Sequence, residues 1–270
     1  MNMVKNSRWS IALSMLLIPM TTSFASDQNT ELAKKLANPI ASLISVPIQY
    51  NYDSDIGLLD TGSKSFVNIQ PVIPISLNDD WNVISRTILP IVWQDDIIAG
   101  SGSQSGLGNV TQSLFFSPKL PTEDGWIWGV GPVFLVPTAT NDLIGGDQWG
   151  AGPTGVALKQ SGQWTYGALF NHVWSFADDK NHEISSTFLQ PFLSHVTDKA
   201  VTYALNTESS YNWKTEEWSV PINATVTKVM KWGDQLVSVG GGVRYWAVSD
   251  SDFTPEGWGV RIQCTFLFPK

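Results

Sequence analysis

The feature of this sequence that most constrains its fold is an alternation of apolar and polar residues with a period of two. In the last such segment, 257–268, one phase is polar or small and contains Arg261, Gln263 and Thr265. The other phase is apolar and consists of Trp258, Val260, Ile262, Cys264, Phe266 and Phe268. Because successive side chains of a β-strand point to opposite faces, this alternation predicts a strand that is amphipathic along its whole length.

Twelve segments with strand-like composition follow one another along the chain, joined by connections that alternate between short and long. The predicted strands are 41–53, 64–77, 81–94, 109–119, 125–138, 148–160, 163–176, 184–197, 200–213, 217–230, 235–248 and 257–268. The 22 Gly, 15 Pro and 13 Trp, with only 15% charged residues, are typical of strands and turns rather than of a helical bundle. We therefore predict an all-β fold, an antiparallel up-and-down transmembrane β-barrel of about 12 strands.

The alternative is a secreted or periplasmic β-sandwich that binds a sugar or a lipid. Prolines inside the predicted strands favour it, because each removes a backbone donor that a closed sheet in lipid needs. These are Pro47, Pro71, Pro74, Pro90, Pro132, Pro153, Pro191 and Pro221. Aromatic residues near the strand ends favour the barrel, whose lipid-facing band is flanked by aromatic girdles.

The N-terminal segment has the organisation of a secretory signal peptide. Lys5 and Arg8 precede an apolar run, and Ser23-Phe24-Ala25 is a small-x-small cleavage site. We predict three regions: a signal peptide over 1–25, a short periplasmic segment over 26–39 that can form a helix, and the barrel over 40–270. No later apolar run reaches the roughly 18 residues of a membrane helix. The predicted location is the outer membrane of a Gram-negative bacterium, after cleavage near Ala25.

The polar phase of the strands predicts the lining of the barrel lumen. An Arg or Lys turned toward hydrocarbon would cost about 2–4 kcal/mol, so the strand arginines belong inside. The candidate lumen residues are Gln49, Asn51, Asn68, Gln70, Arg86, Gln94, Asn171, Asn206, Glu208, Arg244, Arg261 and Gln263. Glu208 is expected to pair with one or more arginines, either bracing the wall or contributing to solute selectivity. Asp53 and Lys64 are counted among the charges of the outer loops.

Several function classes are excluded or disfavoured by what the sequence lacks. The net charge of −8 is opposite to the basic surface that nucleic acid requires. The single cysteine, Cys264, matches no metal-ligand spacing, and no cofactor motif occurs, so we predict no metal, no cofactor and no catalytic residues. Outer-membrane phospholipase chemistry would need His-x-Ser on the outer wall. None of His172, His182 and His195 fits this pattern, and we predict that the protein is not an enzyme.

Short motifs spread over nearly the whole mature chain resemble a family of bacterial outer-membrane proteins named for the meta-cleavage pathway of phenol degradation. The motifs are 36–39 (Leu-Ala-Asn-Pro), 68–71 (Asn-Ile-Gln-Pro), 128–132 (Trp-Gly-Val-Gly-Pro), 149–153 (Trp-Gly-Ala-Gly-Pro), 171–175 (Asn-His-Val-Trp-Ser), 189–192 (Leu-Gln-Pro-Phe) and 265–270 (Thr-Phe-Leu-Phe-Pro-Lys). The resemblance implies an outer-membrane barrel that acts as a transporter or channel for aromatic or other hydrophobic compounds, with no catalytic residues. The C-terminal strand also resembles the assembly signal of such barrels, apart from the two residues that follow Phe268.

The predicted function is a porin-like channel or transporter for small solutes, which the polar lumen supports, while hydrophobic or aromatic solutes come from the resemblance. The predicted partners are outer-membrane lipid, the barrel-assembly machinery during biogenesis, and a small solute whose identity is open. The sequence leaves three states of the lumen open: unobstructed, plugged by 27–39, or laterally gated.

Overall fold

A computed structural model describes residues 26–176 and 183–269, which form one helix and fifteen strand segments. The elements are α1 (Ser26–Leu36), β1 (Ile44–Ile56), β2 (Gly62–Ile69), β3 (Val72–Ser76), β4 (Trp81–Asp95), β5 (Ser103–Leu107), β6 (Val110–Pro118), β7 (Trp126–Val136), β8 (Gly150–Ser161), β9 (Trp164–Ser175), β10 (Ser185–Val196), β11 (Val201–Thr207), β12 (Ser209–Asn212), β13 (Glu217–Trp232), β14 (Gln235–Ser249) and β15 (Gly257–Phe268). Within these residues, no helix is long and apolar enough to cross a membrane.

The strand segments form a single closed antiparallel sheet. β1 pairs with β2 on one side and with β15 on the other, so the last strand closes onto the first. Three pairs of segments, β2 with β3, β5 with β6 and β11 with β12, are single wall strands with a short interruption. The wall therefore has twelve strands, which confirms the predicted barrel. The alternative of a two-sheet sandwich is wrong, because the strands of the described residues all belong to one sheet whose first and last strands pair with each other.

The two rims of the barrel differ in the length of their connections. At the short-turn rim lie the connections 77–80, 119–125, 162–163, 197–200 and 233–234, together with both ends of the barrel. At the long-loop rim lie 57–61, 96–102, 137–149 and 250–256, with the shorter 213–216. Residues 103–107 were predicted to be loop, but they form β5 and pair with β4, because the polar hairpin extends beyond the apolar band.

Prolines coincide with the interruptions in the wall strands. At each interruption a backbone N–H donates to a proline carbonyl: Gln70 to Pro47 at 2.8 Å, Gly108 to Pro90 at 2.9 Å, and Glu208 to Pro221 at 3.3 Å. A proline has no N–H to donate in return, so the ladder breaks there and resumes within one or two residues. The barrel thus accommodates these three prolines through short local breaks. Pro74, Pro132, Pro153 and Pro191 lie within continuous paired strands, so the closed sheet also contains prolines without a break.

The outer wall carries exposed aromatic residues near both rims. Near the long-loop rim, the ring of Trp174 lies 4.0 Å from that of His172. Near the short-turn rim, Trp164 lies 4.6 Å from His195. His182 falls in 177–182, outside the described residues. Two belts of amphipathic rings with aliphatic side chains between them are typical of a lipid-facing wall.

The segment 26–43, which we call the plug, lies inside the barrel at the short-turn rim. Its helix packs Leu32 and Ala33 against the inward residues Val196, Val229 and Leu267. Below the helix, Ile40 packs into a second cluster with Ile84, Phe115, Val156, Leu158 and Leu169. The barrel wall consequently begins at Ile44, slightly later than the predicted strand, because 38–43 packs against the inner wall.

Candidate solute pathway in the barrel lumen

The inward phase of the strands brings together the polar residues on which the lumen depends. On β1, Gln49, Asn51 and Asp53 share this phase. On β15, Gln263 and Arg261 pair in register with Gln49 and Asn51, so the polar side chains of both strands meet on the inner face. A single period-two phase thus produces a continuous polar stripe from the plug toward the long-loop rim.

Glu208 reaches two arginines on other wall strands. Its carboxylate oxygens accept hydrogen bonds from Arg261 Nη1 at 2.9 Å and Nη2 at 2.8 Å, a bidentate pair. Arg244 Nη2 lies 3.3 Å from the same carboxylate, which confirms the predicted pairing of Glu208 with arginines. Arg261 Nε also donates to Asn51 Oδ1 at 2.7 Å.

Asp53 completes the cluster on the other side of Arg244. Its Oδ2 lies 3.2 Å from Arg244 Nη1, and its Oδ1 accepts the indole N–H of Trp246 at 2.9 Å. Asp53 and Arg244 are 1% and 6% exposed, so neither belongs to an outer loop, and the assignment of Asp53 there was wrong. We call Asp53, Glu208, Arg244 and Arg261 the ion bridge. Its charges balance, as burial of several ions requires.

Glycines and a strand break give the ion bridge its space. Each arginine faces a glycine on the neighbouring strand, Arg261 opposite Gly242 and Arg244 opposite Gly259. A Cβ at Gly259 would lie 2.3 Å from Asp53 Oδ1, so a larger residue there would displace that carboxylate. Glu208 lies at the break between β11 and β12, where the absence of ladder pairing leaves room for its side chain.

The ion bridge lies between two cavities. An inner cavity of about 270 Å³ lies between the plug and the bridge, and its wall includes Gln49, Gln70, Arg86, Asn206 and Gln263. An outer cavity of about 240 Å³ lies near the long-loop rim and is lined by Lys64, Gln94 and Gln104 among others. Along β1, Gln49 borders the inner cavity, Asn51 and Asp53 belong to the bridge, and Asp53 pairs in register with Lys64 of the outer cavity.

The remaining candidate residues are distributed around these features. Asn206 accepts a hydrogen bond from Asn223 Nδ2 at 3.0 Å, and Gln94 donates to the carbonyl of Leu143 at 2.9 Å. Asn68 and Asn171 have the inward phase but line neither of the two cavities. Lys64, counted as a loop residue, belongs to β2, and its phase relative to Asp53 was the signal that could have placed it inside.

The bridge is neutral, but the lumen as a whole has an excess of positive charge. Lys64 and Arg86 face the lumen in addition to the bridge. Within the described residues, neither has a carboxylate oxygen at ion-pair distance. Arg86 instead donates through Nη2 to Gln70 Oε1 at 3.3 Å, and Gln70 donates to Gln49 Oε1 at 3.3 Å. Asp142 also lines the outer cavity and offsets Lys64, so the excess positive side chains are Arg86 and Lys35 of the inner cavity.

A histidine and a hydroxyl meet on the outer wall, although no sequence motif joins them. His172 Nδ1 lies 2.7 Å from Thr187 Oγ1, which also accepts the indole N–H of Trp213 at 2.8 Å. Among the described residues His172 Nε2 has no hydrogen-bond partner, so none of them acts as a third group that orients the imidazole as a general base. In the part of the chain that the structure describes, no cluster of His, Cys, Asp and Glu suits a metal ion.

The chain was compared with known families and structures. The family model described as "Putative MetA-pathway of phenol degradation" matches residues 55–263. The chain belongs to this family. In this member of the phenol MetA-pathway family, the matched residues cover the wall from the end of β1 to within β15. They include most of the lumen lining but not the plug. A comparison with curated proteins finds no match.

Solved structures were found that are similar to this phenol MetA-pathway family member. An outer membrane channel from Pseudomonas putida F1 superposes with a TM-score of 0.67 at 12% identity, covering 84% of this chain and 96% of that chain. The KdgM porin in complex with disordered oligogalacturonate gives 0.44 at 11% identity, covering 83% and 99%. Outer membrane phospholipase A from Escherichia coli gives 0.47 at 10% identity, covering 84% and 98%. The TM-score of 0.67 shows that the Pseudomonas putida channel and this chain have a common fold.

Proposed function

We propose that this protein is an outer-membrane channel for small solutes, with the short-turn rim facing the periplasm. The observation that carries the proposal is the polar inner face of the barrel. A cavity lies on each side of the ion bridge along this face, and the outer wall has aromatic belts. Short periplasmic turns and longer outside loops are typical of such barrels. Family membership supports the proposal, as does the fold shared with an outer membrane channel.

The proposed location follows from the same features and from the sequence of 1–25. The precursor would be cleaved near Ala25, inserted by the barrel-assembly machinery and surrounded by outer-membrane lipid. We expect the mature protein in the detergent-extracted outer-membrane fraction, migrating faster on gels before heating than after, because the closed sheet resists detergent. Recovery in the soluble periplasm, with the same migration before and after heating, would contradict this location.

The charge balance of the lumen indicates which small solutes pass most readily. Arg86 and Lys35 line the inner cavity without an acidic residue, whereas Lys64 of the outer cavity is offset by Asp142. Such a lumen favours anions over cations, since rings of basic side chains are how anion-selective pores discriminate. The family resemblance implies passage of hydrophobic or aromatic compounds. We include such solutes in the proposal because apolar side chains of the plug line the same inner cavity.

Planar-bilayer recordings in a salt gradient test the channel and its charge preference together. We expect single-channel events with a reversal potential on the anion side, and a smaller shift in Lys64→Gln, which removes one positive charge from the outer cavity. Lys228→Gln, on the outward phase of β13, is the matched control and should leave the reversal potential unchanged. Absence of events from both the full chain and a chain without the plug would contradict a conducting function.

We also propose that the protein is not an enzyme. His172 and Thr187 lie in the aromatic belt, where Trp213 and the His172–Trp174 contact account for their positions. Their hydrogen bond lacks the orienting third group that activates a hydroxyl nucleophile. We therefore expect that neither the unsubstituted protein nor Thr187→Ala hydrolyses phospholipid vesicles. Hydrolysis by the unsubstituted protein that is lost in Thr187→Ala would contradict this proposal.

A further inference from the structure

We propose that the inner cavity is a binding site for a small organic carboxylate, with the carboxylate on Arg86 and the apolar body against the plug. The inference deepens the proposed channel function, because it names the class of solute held on the pathway. It rests on the position of the cavity along that pathway and on four observations: the charge of its lining, the free donors of Arg86, the neighbouring amides and the apolar plug.

The charge of the lining selects for anions. Of the described residues that line the inner cavity, Arg86 and Lys35 are basic and none is acidic. The nearest carboxylate of the ion bridge, Glu208, is already bound by Arg261 and Arg244. An anion in the cavity would therefore meet uncompensated positive charge in a site partly shielded from water, where charge interactions are stronger than at an open surface.

Arg86 has donors to spare. Its single side-chain hydrogen bond runs from Nη2 to Gln70 at 3.3 Å, while Nε and Nη1 bond to no described residue. Those nitrogens are not among the buried atoms without a partner, so they remain accessible from the cavity. The guanidinium fork matches the two oxygens of a carboxylate, which makes this the anchor point of the site.

Neutral amides surround the anchor and hold it in place. Gln70 links Arg86 to Gln49, so the guanidinium is held against the wall of β1 and β2. Asn206 and Gln263 line the same cavity and supply further donors. Neutral donors around one fixed cation bind a carboxylate without the repulsion that neighbouring acids would add.

The opposite wall of the cavity is apolar and belongs largely to the plug. Leu36, Ala41 and Leu43 of the plug line the cavity together with Phe192 and Val72 of the wall. Inorganic phosphate or chloride would leave this wall in contact with water only, whereas a ring or branched chain would cover it. The volume of about 270 Å³ is at the lower end for ligand sites, and it fits a solute on the order of ten non-hydrogen atoms.

Calorimetric titration of the detergent-purified barrel with benzoate tests the site. Benzamide, which has the same shape without the charge, and acetate, which has the charge without the apolar body, are the comparison probes. We expect benzoate to bind more tightly than either, and Arg86→Gln to weaken it about tenfold, as loss of a charge-assisted bond does. Arg86→Lys should recover part of the affinity, and Lys228→Gln, on the outward phase of β13, should leave it unchanged.

The outcomes separate this site from the channel function. Equal affinity for benzoate and benzamide, or unchanged benzoate binding in Arg86→Gln, overturns the carboxylate site. Channel events without any benzoate binding overturn the site and leave the channel proposal standing. Benzoate binding that depends on Arg86 in a barrel without channel events supports the site and removes conduction. Faster gel migration before heating shows that each variant has folded.

Discussion

A chain without residues 26–43 is expected to show a single-channel conductance several-fold higher than that of the full chain. The plug packs against inward side chains of strands all around the short-turn rim, so its removal empties that end of the lumen. The lumen of a twelve-stranded barrel is much narrower than that of a 16-stranded porin, so the cross-section freed there is a large part of the total. Planar-bilayer recording at fixed voltage measures the difference.

A point substitution tests the same contact without shortening the chain. Ile40 is 4% exposed and packs among five buried apolar residues, so Ile40→Asp should release the plug through the cost of burying a charge. Leu58→Asp, at an exposed position of the long-loop rim, is the matched control and should conduct as the unsubstituted protein does. Conductance unchanged in both the deletion and Ile40→Asp would mean that the plug is not what limits passage.

Glu208→Gln is expected to destabilise the barrel by about 3 kcal/mol and to shift its ion preference further toward anions. After the substitution, Asp53 is the one carboxylate of the ion bridge that remains to balance the charges of Arg244 and Arg261. It also raises the excess of positive charge in the lumen by one. Urea unfolding followed by tryptophan fluorescence measures the first effect, and reversal potentials in a salt gradient measure the second.

An exposed glutamate provides the control for Glu208. Glu216→Gln, in the connection between β12 and β13, should change the free energy of unfolding by no more than about 0.5 kcal/mol. If Glu208→Gln were as stable as Glu216→Gln, the ion bridge would not brace the wall. If its reversal potential were unchanged, Glu208 would have no role in selectivity, and only the structural role would remain.

The strands of this barrel could be predicted because their signal is local. A period-two phase can be read within each segment, and for this reason the inward positions of Arg86, Arg244, Arg261 and Glu208 follow from the sequence. Asp53 was harder, since it lies where the strand continues past its apolar band, and acidic residues near a turn suggest a loop. The His172–Thr187 contact was out of reach, because it depends on the register between β9 and β10.

By itself, the sequence determined the class of fold, the number of wall strands, the assignment of the rims and the face of each strand that turns inward. These properties depend on alternation and turn spacing, which act over a few residues at a time. Only the tertiary structure decided that Glu208 pairs with Arg261 and Arg244, that prolines lie at the strand breaks, and that 26–43 packs inside the barrel. Each of these depends on which residues closure brings together across the lumen, and no local pattern encodes distances between strands far apart in the chain.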